Sequence, residues 1–185
     1  MSNTAWEYIK SDLYRYAGPI TPRIFLRHLK SNRSFRFSVW LRLSSKADNS
    51  IVRCIARRFI ARMSKKYGLQ IPPSAEIGYG LYIGHGLCVV MHPKTVIGDN
   101  CNLSRFTTIG SNRDTPARIG NNVYIGPNVC IVEDVAIGDN VVIGAGAVVV
   151  KNAPANCTIA GNPARIISQN RRDPEAPNLW KHKAI

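Results

Sequence analysis

From residue 71 to residue 149 an aliphatic side chain returns at every sixth position, with two interruptions. The series runs Ile71, Ile77, Ile83 and Val89, then Ile97, Leu103 and Ile109, then Ile119, Ile125, Ile131, Ile137, Ile143 and Val149. Glycine follows the aliphatic residue at positions 78, 84, 98, 110, 120, 126, 138 and 144. A fixed period of six predicts a parallel β-helix, whose coils stack to build one continuous core. The segments between are short and β-branched. Their turns are rich in Gly, Asn and Asp, as in Gly98-Asp99-Asn100, Gly120-Asn121-Asn122 and Gly138-Asp139-Asn140. In such a stack, residues far apart along the chain fall into columns.

Outside the repeat the pattern changes. Residues 1–69 read as a basic α-helical region, 70–166 as the β-helix and 167–185 as a C-terminal arm or tail. The clearest helix spans about Ile51 to Tyr67. There Ile51, Ile55, Phe59 and Met63 share a face with Val52, Ala56 and Ile60, and Gly68 is a natural stop. This face is expected to pack on its own domain; a basic amphipathic helix lying on a membrane is the alternative. Phe35 to Leu43 alternate apolar and polar like a strand. Gly18-Pro19 and Thr21-Pro22 mark a break near residue 20, and Pro72-Pro73 opens the repeat.

The chain has 185 residues and a formal net charge of +14. Residues 1–70 carry +12, residues 71–160 carry −1 and the remainder +3. The charge therefore belongs to the helical region and the tail. It points either to an anionic neighbour or to a merely solvated basic face. No stretch approaches the ~18 apolar residues of a membrane span, and the first residues lack a signal-peptide core. A cytoplasmic location is the expectation, with peripheral contact at the inner membrane through the basic segment. Nucleic-acid binding has only the charge in its favour, so no nucleic-acid partner is expected. The five cysteines, at 54, 88, 101, 130 and 157, show no CxxC pairing and read as reduced structural thiols. Neither a metal-ligand spacing nor a GxxxxGK loop is present, so no bound metal is expected.

The ladder, the run IGAGAVV at 143–149 and the ending AGNPARI at 160–166 resemble hexapeptide-repeat acyltransferases. The stretch IPPSAEIGYGLYIGHGLCVV at 71–90 resembles the serine acetyltransferase branch and its relatives in bacterial capsule, O-antigen and colanic-acid synthesis. The resemblance implies a mainly β fold: a left-handed parallel β-helix with a small helical region in front and a tail behind. It also implies a homotrimer, with acetyl-CoA, the acyl donor, held in the groove between subunits.

Counting along the ladder, with a two-residue insertion placed between Val89 and Ile97 and four extra residues between Ile109 and Ile119, gives the column His85, Arg105, Pro127, Ala145. The insertions are then expected as loops at 92–95 and 111–117. A neutral imidazole can take the proton of an attacking hydroxyl at pH 7, and His85 matches the place of the family's catalytic histidine. For the donor, the resemblance points to Gly110, Ser111, Gly126, Pro127, Ala145, Gly146, Ala160 and Gly161. These are small residues that let a pantetheine arm approach the main chain. Arg165 is the implied partner of a CoA phosphate, ahead of Lys151. Arg105 either binds an anion or caps the coil surface. His92, Asn112 and Arg113 are candidate acceptor contacts, with an ordinary exposed loop as the alternative for His92. His28 and His182 have no supporting pattern.

The chain also departs from serine acetyltransferases. Gln70 stands where that branch has the aspartate that orients the histidine, and Gly84 where it has an aspartate immediately before the histidine. Thr115 and Pro116 stand where it has an arginine–histidine pair for the amino-acid carboxylate. Serine would lose charge-assisted hydrogen bonds worth about 1.5–3 kcal/mol each. The function expected on these grounds is O-acetyl transfer from acetyl-CoA to a sugar hydroxyl, on a glycan or lipid-linked acceptor of surface-polysaccharide synthesis. A divergent serine O-acetyltransferase and a catalytically silent assembly protein are the alternatives.

Overall fold

The structure, a computed structural model, describes residues 4–170 and 178–181. Four helices precede the repeat: α1 (Thr4–Ala17), α2 (Pro22–Ser31), α3 (Arg33–Lys46) and α4 (Ser50–Tyr67). Their boundaries follow from local chemistry. The Thr21 hydroxyl accepts from the Ile24 amide with Pro22 opening α2, and Asn32 caps α3 by accepting from the Phe35 amide. Gly68 ends α4 in the left-handed conformation.

The strand-like alternation from Phe35 to Leu43 is helical. Phe37 and Leu41, four apart, pack into the β-helix core, while Phe35 and Val39, also four apart, pack with Ile9 and Leu13 of α1. A helix buried on two sides carries two i, i+4 pairs offset by two residues, and this imitates a strand's period. The apolar face expected on α4 is split. Ala56, Ile60 and Met63 are buried, whereas Ile51, Val52, Ile55 and Phe59 are exposed, Phe59 stacking on Trp40 at 4.1 Å. No helix of the described residues is long and apolar enough to cross a membrane.

Part of the basic charge is internal. Arg42 donates to both carboxylate oxygens of Asp12, at 2.9 and 3.0 Å, and to the carbonyls of Ile77 and Gly78, with both partners of the pair fully buried. Asp12 also accepts from the Leu81 amide at 2.8 Å and from the Ser38 hydroxyl. Arg15, buried beside it, reaches the Asn100 carbonyl at 3.0 Å and the Asn102 side chain, and its burial lowers its pKa. These arginines tie α1 and α3 to the first coils. The sequence offered no sign that they are not surface charges.

The repeat forms a parallel β-solenoid with three faces. One sheet stacks Leu69–Gln70, Val89–Met91, Thr108–Gly110, Cys130–Val132 and Val148–Val149. The second holds Glu76–Ile77, Val96–Ile97, Arg118–Ile119 and Ala136–Ile137. The third holds Tyr82–Ile83, Asn102–Leu103, Tyr124–Ile125, Val142–Ile143 and Thr158–Gly161. Ladder residues stack in register, as Ile83 on Leu103, Leu103 on Ile125 and Ile125 on Ile143. Two of the three corners recur with a left-handed residue three places after the ladder: Asn100, Asn122, Asn140 and Asn156 on one edge, Phe106, Asn128 and Gly146 on another. Asparagine and glycine tolerate this conformation better than other residues.

The register moves the first insertion. Met91, not Val89, pairs with Ile109, so the step from Ile83 to the next ladder residue is two residues too long and the following step is regular. Val89 and Met91 both point inward, which is why the sequence does not separate them. The corner at 92–95 is an ordinary one, with the Thr95 amide donating to the His92 carbonyl at 3.1 Å. The longer loop at 111–117 is where the ladder placed it.

The tail is not wholly free. Ala164–Ser168 turns back antiparallel on Thr158–Gly161 and extends the third sheet. Trp180 exchanges two hydrogen bonds with Asn100 and lies edge-on to Tyr14 at 5.8 Å. A buried polar side chain at the first corner thus provides an anchor that composition did not reveal. The rest of the expected arm, 171–177 and 182–185, lies outside the described residues.

Candidate active site

The two inserted residues of the first coil are His85 and Gly86. In later coils the amide three places after the ladder donates to the carbonyl two places after the ladder in the coil before it: Asn128 to Arg105 and Gly146 to Pro127. In the first coil the donor is Phe106 and the acceptor is Leu87, at 3.2 Å. The true column is therefore Leu87, Arg105, Pro127, Ala145, and His85 stands outside it on a bulge. Three residues of this corner, His85, Gly86 and Cys88, have positive φ. Cys88 occupies the place of Phe106 and Asn128; His85 and Gly86 are additional.

The helices hold the bulge. Arg33, at the start of α3, donates from Nε and Nη2 to the His85 carbonyl at 3.1 and 2.7 Å. Gly86 lies so close to α3 that a Cβ there would stand 2.5 Å from the Ser34 hydroxyl. Tyr16 of α1 accepts from the Ile83 amide at 2.9 Å and donates to the Ile83 carbonyl at 3.2 Å. Burial raises the Tyr16 phenol's pKa, so it stays a neutral strut at working pH. The His85 side chain is left exposed.

Two hollows meet at His85. One, of about 200 Å³, lies along the coils and is lined by Tyr82, Gly84, Asn102, Ser104, Arg105, Tyr124 and Pro127. The other, a cleft of about 720 Å³, is walled by α2, the start of α3 and the bulge, with Arg27, His28, Arg33, Arg36, Tyr16 and Tyr67 among its lining. Neither Arg27, Arg33 nor Arg36 was singled out from the sequence, nor was Leu87. The only signal for the arginines was the charge of the first 70 residues.

The other candidate residues fall on two edges. Gly126, Pro127, Ala145, Gly146, Ala160 and Gly161 follow the third-sheet ladder on the same edge as His85. A Cβ on Gly126 would stand 2.8 Å from the Ala145 amide nitrogen and the Ile143 carbonyl oxygen, so only glycine fits between these coils. Arg165, exposed on the closing strand, donates to the Ala164 carbonyl and pairs across from Ala160. Gly110, Ser111, Asn112, Arg113 and His92 belong to the next edge. There Glu133 accepts from the Ser111 hydroxyl at 3.0 Å and the Asn112 amide at 3.3 Å. His92 accepts from the Lys94 amide and lies 3.5 Å from Asp114, whose carboxyl Lys94 holds below its usual range. None of these five residues lines either hollow beside His85 in a single chain. Gln70 is exposed in the first sheet and also lines neither.

The family model described as bacterial transferase hexapeptide (six repeats) matches residues 116–151. A serine acetyltransferase of Synechococcus elongatus is 34% identical over 124 residues, 63% of this chain and 51% of that protein. One of Staphylococcus epidermidis is 34% identical over 140 residues, 73% of this chain and 66% of that protein. The chain thus spans about half to two thirds of the length of these relatives. Among solved structures, the serine acetyltransferase of Brucella abortus superposes with a TM-score of 0.78 at 27% identity, covering 93% of this chain and 72% of that one. The Neisseria gonorrhoeae enzyme in complex with serine gives 0.74 at 29% identity, over 87% and 68%. These matches overturn the sugar acceptor expected from the sequence: the relatives are named serine acetyltransferases, not polysaccharide O-acetyltransferases. That expectation rested on missing serine-binding side chains at three aligned positions. It overlooked that recognition groups can come from elements other than the aligned loops. The repeat, the solenoid and these relatives place the chain in the hexapeptide-repeat acyltransferase family.

Proposed function

We propose that the protein transfers the acetyl group of acetyl-CoA to the hydroxyl of serine. The observation that carries this reading is the likeness to serine acetyltransferases, which covers 93% of this chain in one solved structure and 87% in another. His85 takes the hydroxyl proton as the serine oxygen bonds to the thioester carbonyl carbon. The C–S bond then breaks, and the imidazolium returns the proton to the departing sulfur. The products are O-acetylserine and free CoA. A positioned base of this kind contributes roughly 10²–10⁴-fold. With the acceptor in the helix-side cleft and the thioester along the coils, the imidazole stands between the two reactants.

Two edges of the solenoid carry the donor-site candidates, and one chain cannot bring them together. We therefore assign the donor groove to adjoining subunits of a homotrimer. The edge with Pro127, Ala145, Gly146 and Gly161 faces the neighbour's edge with Gly110 and Ser111, and Arg165 is placed to meet a CoA phosphate.

The test is an assay of purified protein with acetyl-CoA and L-serine, following O-acetylserine by mass and the liberated thiol by colour. His85→Asn is the matched control, since asparagine tolerates the left-handed backbone at this position. A fall of roughly 10²–10⁴-fold in kcat is expected. No product from the wild type, or an unimpaired His85→Asn, overturns the reading.

A further inference from the structure

The cleft beside His85 is one-sided in charge. Arg27, Arg33 and Arg36 line it, and no aspartate or glutamate does among the described residues. The three arginines are not equally committed. Arg36 is turned to the C-terminal end of α2, donating to the Leu29 carbonyl at 2.7 Å and to the Lys30 carbonyl. Arg33 gives Nε and Nη2 to the His85 carbonyl and keeps Nη1. The Arg27 carbonyl accepts from the Ser31 hydroxyl at 2.8 Å, but its guanidinium has no hydrogen bond or ion pair among the described residues. His28, on the same wall, has a buried Nδ1 with no hydrogen-bond partner.

The hollow on the other side of His85 adds Arg105 and again no acidic side chain. A carboxylate entering the cleft would find the whole Arg27 guanidinium and the Nη1 of Arg33 free to donate. Within a single chain, an ammonium group would find no countercharge among the described residues of either hollow and would face two or three like charges instead.

We infer that this cleft is an anion subsite in which Arg27, with the free donor of Arg33, selects a hydroxyl acceptor by its acid group and does not read an amino group. It deepens the acyl-transfer reading above and rests on it for the identity of the reaction. The substrate class is therefore small hydroxy acids, with serine accepted as a hydroxy acid that happens to carry an amine.

The experiment compares L-serine, glycerate, which lacks the amine, and L-serinamide, which lacks the acid, at saturating acetyl-CoA. Glycerate is expected to match or exceed serine in kcat/KM, and serinamide to fall at least tenfold below it. Arg27→Gln is expected to raise the KM for serine and glycerate roughly 10–100-fold, as the loss of a charge-assisted hydrogen bond implies. It should leave the KM for acetyl-CoA unchanged and, Arg27 being exposed, the melting temperature as well. Serinamide performing as well as serine, glycerate failing where serine succeeds, or an Arg27→Gln enzyme with unaltered acceptor KM would each overturn the inference. If none of the three is acetylated, the reaction proposed above fails, and calorimetry of glycerate without acetyl-CoA decides the subsite separately. Binding weakened at least tenfold by Arg27→Gln upholds it, and no binding or equal binding sinks it.

Discussion

The amide of Phe106 donates to the carbonyl of Leu87, at 3.2 Å, and not to that of His85. This one bond shows that the first coil is two residues longer than its neighbours at the corner where His85 stands. A regular coil would place the residue two after Ile83 flush with Arg105 and Pro127. The longer coil lifts the imidazole out of the column and gives α3 a carbonyl to hold through Arg33. The site is thus built by an irregularity of the repeat, and its precision depends on how tightly helix and bulge fit.

That fit should be sensitive to a single methyl group. Gly86 has φ 40°, and a Cβ on it would stand 2.5 Å from the Ser34 hydroxyl and 3.2 Å from the Ser34 Cα. Gly86→Ala should push the bulge from α3, costing about 1–3 kcal/mol in stability and lowering kcat at least tenfold. Thermal melts and acetyl-transfer rates on the variant are the check, with the KM for acetyl-CoA expected to change least.

Asp12 and Arg42 lock α1 and α3 to the first coil from inside. Asp12→Ala leaves a buried guanidinium without its carboxylate, and a loss of about 3–5 kcal/mol is expected in urea unfolding. Because Asp12 also accepts from the Leu81 amide, hydrogen exchange at Leu81 should accelerate in any variant that still folds.

Phe106 is a strained choice for its corner. It has φ 60° and is 43% exposed, where equivalent positions in later coils hold Asn128 and Gly146. Phe106→Asn should stabilise the isolated chain by roughly 1 kcal/mol, which for a chain of this size is a rise of about 2–4 °C in melting temperature. A fall would show that the ring is covered in the assembled protein.

The thiols should differ sharply in reactivity, since the thiolate is the reacting form. Burial pushes Cys101 up to about 12, and Cys157 is also raised by burial. Iodoacetamide at pH 8 should therefore modify exposed Cys54 first and leave Cys101 intact until the protein unfolds, as peptide mass spectrometry would read out. Cys101 should remain protected as the pH is raised toward 10.

The six-residue ladder by itself determined the solenoid, its aliphatic core and the four extra residues of the loop before Ile119. These follow from local rules: an inward aliphatic residue per face, and glycine or asparagine where the chain must turn. Tertiary structure decided the rest. Val89 and Met91 are both aliphatic or nearly so and both point inward, so only hydrogen bonds to the next coil could say which is the ladder residue and hence where the bulge lies. Phe35 to Leu43 alternate because α3 is covered on two sides, and no local pattern separates that from a strand. Arg15, Arg42, Arg27 and Arg33 have the same side chain in the sequence, yet two are buried struts and two line the cleft beside His85. What distinguishes them is which partners the fold brings within reach, and a sequence period holds no record of contacts between helices and coils.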